Sequence, residues 1–199
     1  MDPALINTFA AYSGAVDQRA GGASEAARFG AVGVVVRSMG SHLEDYPHTG
    51  GLRYAEGVTK IPAVAISTRH AALLSDLLKE QKDLQFFFQT DCQTFPDAPS
   101  FNVIGEIRGS EFPDEFIVVS GHLDSWDLGQ GAHDDGAGCV QAMEVLRLFK
   151  ATGYQPKRTI RAIMYMNEEN GLRGGHEYAR RAEINNEKHL AAMESDRGG

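Results

Sequence analysis

Acidic and imidazole side chains gather in four short segments in the second half of the chain. Three of these segments directly follow apolar stretches that are predicted strands, and the fourth is a glycine-rich turn. They are His122-Leu123-Asp124, Gly131 to Gly138, Asn167-Glu168-Glu169-Asn170 and Glu194-Ser195-Asp196. Carboxylates brought together from separate segments repel one another unless a cation neutralises them. The pattern therefore indicates a metal site.

The donor types favour a catalytic metal over a structural one. One imidazole with several carboxylates is a borderline-to-hard donor set, which suits zinc, manganese or cobalt and differs from thiolate-rich structural zinc sites. His122 is the candidate imidazole, and Asp124 has the spacing to accept the other ring N–H of a metal-bound histidine. A structural calcium or magnesium site is the alternative, although such sites seldom use histidine.

Two adjacent glutamates, Glu168 and Glu169, follow one of the predicted strands. Neighbouring side chains at the end of an extended strand point in different directions. The pair therefore predicts two roles, with one glutamate binding metal and the other meeting the substrate and water. A metallohydrolase needs this division.

The elements that must position these residues are those of an α/β fold. After Phe101, the sequence predicts strands over 102–107, 115–121, 158–166 and 189–193 and helices over 136–150 and 172–181. Alternating strands and helices predict a sheet that helices cover on both faces. In such sheets ligands bind at the carboxyl ends of the strands, where the acidic segments lie.

The first 95 residues are predicted to form a separate module. The sequence predicts helices over 22–29 and 69–82 and strands over 31–36, 61–66 and 84–90. A proline-dense segment over 94–100 then indicates the boundary, which gives domains of 1–95 and 96–199. The histidines of the first module have no acidic partner at ligand spacing, so we expect no catalytic group there. These histidines are His42, His48 and His70.

Composition excludes several other classes of protein. The 19 basic and 27 acidic residues give a net charge of −8, which offers no electrostatic footprint for nucleic acid or for an anionic membrane surface. No apolar run approaches the roughly 20 residues of a membrane-spanning helix. The amino-terminal residues lack a secretory signal, although an exported precursor could have lost one. The carboxyl terminus follows a predicted strand closely and resembles a cut end.

The order and spacing of the four segments resemble those of the corresponding motifs in the M28 family of zinc peptidases. The resemblance is strongest to the branch that includes plasma glutamate carboxypeptidase and bacterial dipeptidases. The resemblance covers nearly the whole chain. It implies two zinc ions on a mixed sheet covered by helices, and it implies that residues 1–95 are part of a protease-associated (PA) domain. It also implies export, to the periplasm or the extracellular space.

Position by position, the resemblance implies a set of four metal ligands. His122 and Asp196 would bind one zinc ion, Glu169 would bind the other, and Asp134 would bridge both. The family's second ion also takes a histidine from further downstream, which is absent from the 199 residues. The site as written is therefore expected to be incomplete.

The resemblance further implies that Glu168 is the general base and that Asp124 orients His122. The predicted function is a zinc-dependent exopeptidase that cleaves short peptides or dipeptides. Aminopeptidase or dipeptidase action is favoured because a free amine can bind a dizinc centre, and carboxypeptidase polarity stays open. The rival prediction is an inactive fragment or interaction module with residual metal affinity. The expected partner is a peptide substrate, and an oligomer is possible.

Other polar residues near these segments have structural interpretations. Asp135 is predicted to cap the following helix. His189 opens a strand at the opposite sheet edge and is predicted to be structural, and Cys139 is predicted to be a small buried hydrophobe. Arg173 and Arg197 could bind a substrate carboxylate or balance the acidic residues, and the sequence does not separate these alternatives.

Overall fold

A computed structural model describes Ala4 and residues 6–196 of the chain. It divides the chain into two units, Met1–Phe95 and Pro96–Gly199. Within the described part of the chain, no helix combines the length and the apolar character needed to cross a membrane. That the first unit is a PA-like module stays a prediction.

The first unit combines four helices with a pair of strands. Its elements are α1 (Thr8–Ser13), α2 (Asp17–Ala20), α3 (Gly22–Arg28), β1 (Val34–Arg37), β2 (Ala63–Ile66) and α4 (Thr68–Glu80). The two strands are parallel, with Val34 opposite Ala63. The Ser67 hydroxyl accepts the His70 main-chain N–H at 3.1 Å and so caps α4, as serine commonly does at this position.

The predicted strand over 84–90 is wrong, because this segment has no strand conformation. Its aromatic residues favour a strand by their type, but a strand also needs a main-chain neighbour. Phe86 and Phe87 are 50% and 88% exposed. Phe88 instead packs by its side chain, close enough to Gly33 that a Cβ on that glycine would lie 2.8 Å from the ring.

The second unit is a mixed sheet with helices, as the sequence predicts. Its elements are β3 (Val103–Ile107), β4 (Phe112–His122), α5 (Ala137–Thr152), β5 (Arg158–Tyr165), α6 (Arg173–Ile184) and β6 (Lys188–Glu194). The strand order is β3-β5-β4-β6. Strand β4 is parallel to both of its neighbours, and β3 is antiparallel to β5. Gly153, with a left-handed φ of 67°, ends α5.

The two long helices of this unit pack on opposite faces of the sheet. Ala162 of β5 lies in an apolar cluster with Cys139 of α5. The neighbouring Arg161 donates a hydrogen bond at 2.9 Å to the hydroxyl of Tyr178 in α6. Because successive side chains of a strand point to opposite faces, α5 covers one face and α6 covers the other.

Three parallel strands bring their carboxyl ends to one edge of the sheet. His122 at the end of β4 is opposite Tyr165 at the end of β5. On the other side of β4, Ser120 is opposite Glu194 at the end of β6. The segments that follow these strands are therefore neighbours in space, although they are far apart in sequence.

Candidate metal centre

His122 is the buried centre of the site, with only 1% of its surface exposed. Its Nδ1 lies 2.8 Å from the main-chain oxygen of Asp124. Its Nε2 lies 3.0 Å from Oδ1 of Asp134 and 3.0 Å from Oδ1 of Asp196. One ring nitrogen is thus held by the main chain, and the other faces two carboxylates from different segments.

The charges around the His122 ring indicate that a metal ion would take the place of a proton. Burial disfavours the charged ring of His122, but the hydrogen bond to the Asp124 carbonyl and the charge of Asp196 outweigh it and raise the pKa to about 9. At neutral pH the metal-free ring therefore carries a proton on each nitrogen, and Nε2–H donates to the two carboxylates. A divalent cation in the place of that proton would neutralise the same carboxylates.

The donor atoms fit zinc in type and spacing. Within the described residues, ligand atoms of His122, Asp134 and Asp196 all lie within 4.8 Å of one another. Ligands of a tetrahedral zinc ion, about 2.0–2.2 Å from the metal, are about 3.3 Å apart, close to the observed 3.0 Å. The Asp134 and Asp196 side chains are 62% and 45% exposed, so solvent reaches the centre beside them.

Glu168 and Glu169 lie beside this group but outside it. Oε2 of Glu168 is 4.0 Å from Nε2 of His122. Oε1 of Glu169 is buried and has no hydrogen-bond partner among the residues that the structure describes. Burial, followed by the charge of Asp134, raises the pKa of Glu169 to about 7, and burial also raises the pKa of Glu168. A buried carboxylate oxygen without a donor is the kind of atom that a second cation would satisfy. We refer to His122, Asp134, Asp196, Glu168 and Glu169 together as the metal centre.

The Asp124 carboxylate is predicted to contact the His122 ring, but in this structure the main chain of Asp124 makes that contact. Its Oδ1 lies 3.9 Å from Nδ1 of His122, beyond hydrogen-bond distance, and the main-chain oxygen makes the bond instead. The carboxylate accepts the main-chain N–H groups of Glu168 and Glu169, at 2.9 and 3.2 Å.

Asp135 caps α5 as predicted and also ties that helix to β4. Its side chain is buried, and Oδ1 accepts the Gly138 N–H at 3.0 Å. Its other oxygen accepts the main-chain N–H of His122 at 2.8 Å. Burial raises the pKa of this carboxyl. The second bond was not predicted, because it joins residues whose proximity depends on the fold.

Two glycines allow this close packing. A Cβ on Gly121 would lie 2.5 Å from Oδ2 of Asp135. A Cβ on Gly138 would collide with the main-chain oxygen of Ser195, next to Asp196. For Gly138, the glycine-rich turn was the available signal for such an approach.

Asn102 is a further residue that sequence reasoning missed. Its Oδ1 accepts the Met166 main-chain N–H at 3.0 Å, and its Nδ2 donates to the Gly174 carbonyl at 2.8 Å. The side chain therefore joins the end of β5 to the start of α6. It holds both ends of the loop that carries Glu168 and Glu169.

A cleft of about 590 Å³ adjoins the centre, and its lining includes Asp124, Asn167 and Arg173. The Arg173 guanidinium lies 2.5 Å from the Asp97 carboxylate. It therefore balances an acidic residue, although not one of the metal centre. Arg197, the other arginine considered for a substrate carboxylate, lies outside the described residues.

The remaining predictions for single residues concern His189, Cys139 and the histidines of the first unit. His189 is structural, since it stacks on Phe116 and its Nε2 lies 2.7 Å from the Tyr178 hydroxyl. Cys139 is a buried free thiol. In the first unit, His48 Nε2 lies 2.7 Å from Oε1 of Glu44, but among the described residues this pair belongs to no group that could hold a metal ion. These two residues meet across one turn of an irregular loop.

Fold and site together point to a class of protein, the metallohydrolases: the carboxyl edge of a mixed α/β sheet carries a group of side chains that could hold a metal ion, with a glutamate beside them. Comparison with known families narrows this class. Residues 102–199 match the model of Peptidase family M28. This part of the chain therefore belongs to peptidase family M28.

Individual relatives agree with the family. The chain is 41% identical over 187 residues to Carboxypeptidase Q of Bos taurus and to that of Homo sapiens, with 94% of the chain and 40% of each relative covered. It is also similar to the crystal structure of a peptidase M28 precursor from Shewanella amazonensis SB2B. The TM-score is 0.81 and the identity 40%, over 94% of this chain and 42% of that chain. The chain thus spans about 40% of the length of these curated relatives.

Proposed function

We propose that the protein is a zinc-dependent exopeptidase that hydrolyses the peptide bonds of short peptides or dipeptides. The observation that carries this proposal is the convergence of His122, Asp134 and Asp196 at the carboxyl edge of the sheet, with Glu168 beside them. Membership of the M28 family supports the same chemistry. The peptide substrate is the expected partner.

The proposal includes two zinc ions. His122, Asp134 and Asp196 would hold one ion, and Asp134 and Glu169 would hold the other. The buried Oε1 of Glu169, which has no hydrogen-bond partner within the described part of the chain, supports the second position. When bound, zinc supplies Lewis acidity, which polarises a carbonyl and makes water more acidic.

Glu168 acts as the general base in this proposal. Its side chain is 28% exposed, so water reaches it. It lies outside the group of three converging ligand atoms and is free to exchange protons. It accepts a proton from the attacking water and returns that proton to the leaving amine.

The proposal includes two alternatives for the end of the peptide at which the protein cleaves. Aminopeptidase or dipeptidase action is the first, because a free amine can bind a dizinc centre. Carboxypeptidase action is the second, and the names of the Carboxypeptidase Q relatives favour it. Export of the protein, which the family resemblance implies, stays a prediction.

The test uses one dipeptide and one tetrapeptide, each prepared free, N-acetylated and C-amidated, with the zinc-loaded protein. Loss of cleavage on acetylation alone indicates an aminopeptidase, and loss on amidation alone indicates a carboxypeptidase. Cleavage of only the free dipeptide indicates a dipeptidase. Zinc bound at the centre without hydrolysis of any peptide would overturn the proposal in favour of a binding module. Binding of calcium but not zinc would also overturn it.

A further inference from the structure

Asp124 connects the two halves of the metal centre through different groups. Its main-chain oxygen accepts Nδ1–H of His122 at 2.8 Å. Its carboxylate accepts two successive main-chain N–H groups from a segment more than 40 residues away, those of Glu168 at 2.9 Å and Glu169 at 3.2 Å. The Asp124 side chain is only 17% exposed, so water competes poorly for these bonds.

The segment that carries the glutamates depends on such long-range bonds. Asn167 and Leu172 have left-handed φ values of 66° and 57°, which non-glycine residues adopt at a cost. Across residues 6–196, the buried Oε1 of Glu169 has no hydrogen-bond partner, and Glu168 only approaches His122, at 4.0 Å. Asn102 holds the two ends of this segment, and the main-chain bonds to Asp124 fix its middle, where the glutamates lie.

The orientation of His122 has a different origin. The bond to its Nδ1 comes from a main-chain carbonyl, which remains when the Asp124 side chain changes. The nearest carboxylate oxygen of Asp124 is 3.9 Å away. Removal of the carboxylate should thus leave the imidazole and its bond intact, while two N–H groups of the glutamate segment lose their acceptors.

We propose that the Asp124 carboxylate is a positioning group for Glu168 and Glu169, and that the main chain of the same residue orients His122. The consequence for turnover rests on the proposed peptidase function. The role differs from the one that the His-x-Asp spacing predicts, in which the carboxylate serves the histidine.

The test compares Asp124→Asn with the parent protein, both loaded with zinc. The asparagine keeps the shape but places an NH₂ group opposite one main-chain N–H. We expect kcat to fall about 10- to 100-fold with a smaller change in KM, the usual effect of losing a group that positions a catalytic residue. Asp127→Asn is the matched control, because Asp127 is exposed in the same loop and should leave kcat within about twofold.

Two further readouts separate the proposal from a general loss of structure. In ¹H–¹⁵N NMR spectra of the variant, the amide signals of Glu168 and Glu169 should shift and exchange faster with solvent. The Nδ1–H signal of His122 and the affinity for zinc at its Nε2 should stay unchanged. Asp124→Ala should show the same pattern with larger amide shifts.

The opposite pattern would overturn the proposal. Loss of the His122 Nδ1–H signal, or weaker zinc binding at that ring with unchanged glutamate amides, would assign the carboxylate to the histidine. These NMR readouts do not depend on turnover. If the parent protein hydrolyses no peptide, the proposed function fails, and the amide and imidazole signals still decide the role of Asp124.

Discussion

Two charged clusters on the same sheet differ in how their charges are balanced. On the α6 face, the guanidinium of Arg161 lies 3.0 Å from the Glu106 carboxylate and 2.8 Å from the Glu187 carboxylate. It also donates to the Tyr178 hydroxyl, which in turn contacts His189. We call this group the arginine cluster. In the metal centre, carboxylates from several segments share one imidazole.

The pKa values reflect this difference. Burial alone would lower the pKa of Arg161, but its hydrogen bonds to Tyr178 and Glu187 outweigh burial and raise it. In the metal centre, burial and the charge of Asp134 raise the pKa of Glu169. A buried ion that has its partners is stable as it stands, whereas a partly buried carboxylate such as Glu169, which has no cation within ion-pair distance among the described residues, gains from a ligand. This imbalance supports the metal centre as the functional cluster of the proposal.

The largest expected effect is on turnover and comes from Glu168→Gln. Removal of the general base should lower kcat by about 10² to 10⁴ while the zinc content stays nearly constant, because Glu168 is not among the converging ligands. Peptide hydrolysis and metal analysis of the same preparation measure both. Glu169→Gln is the matched variant and should lose zinc instead. Normal activity of Glu168→Gln would remove the general-base assignment, and loss of zinc from it would reverse the two roles.

Arg161→Met should break the arginine cluster and leave the metal centre intact. Glu106 and Glu187 would lose their cation next to the sheet, and we expect the free energy of unfolding to fall by about 3 kcal/mol. Urea titration measures this change. The control is Arg147→Met, whose pair with Glu144 is exposed and is worth less than about 1 kcal/mol. A parallel loss of zinc affinity in Arg161→Met would show that the two clusters are coupled.

Gly138→Ala tests whether the metal centre depends on the close approach of the Ser195 carbonyl to α5. The new methyl group would push the Ser195 carbonyl away from α5 and displace Asp196. We expect zinc affinity to fall about tenfold, or about 1.4 kcal/mol, as measured by competition with a chromogenic chelator. Gly175→Ala is the control, since a Cβ there meets no atom within 4 Å and alanine favours a helix. Unchanged zinc affinity in Gly138→Ala would mean that Asp196 does not depend on this contact.

The smallest expected effect concerns exposed ion pairs that lie outside both the arginine cluster and the metal centre. Hydrogen bonds from Arg180 and Arg181 lower the pKa of Glu177 from 4.5 to about 2. Because the folded-state pKa is the lower one, the stabilisation is present above pH 4.5 and is lost as the pH falls towards 2. The difference in unfolding free energy between the parent and Glu177→Gln should therefore shrink across that window. A difference that stays constant with pH would contradict the assignment.

Sequence periodicity predicted most of the second unit because its elements depend on local patterns. The apolar run of β4 and the helical spacing of α5 identified those elements, although β4 begins at Phe112, earlier than predicted. The strand predicted over 84–90 failed where the same local pattern found no main-chain partner. Local composition states what a segment prefers, and only the neighbouring backbone decides whether a strand forms.

In the candidate site, too, the local sequence and the tertiary structure determine different features. By itself, the sequence determined which residue types stand at the carboxyl ends of the strands, because chain position relative to an element is a local property. Only the tertiary structure decided that the Asp124 carboxylate serves the glutamates, that Asp135 bonds to the His122 main chain, and that Gly138 admits the Ser195 carbonyl. These contacts depend on strand order and register, which bring together segments that are distant in the sequence. Residue type and spacing along the chain do not determine that arrangement.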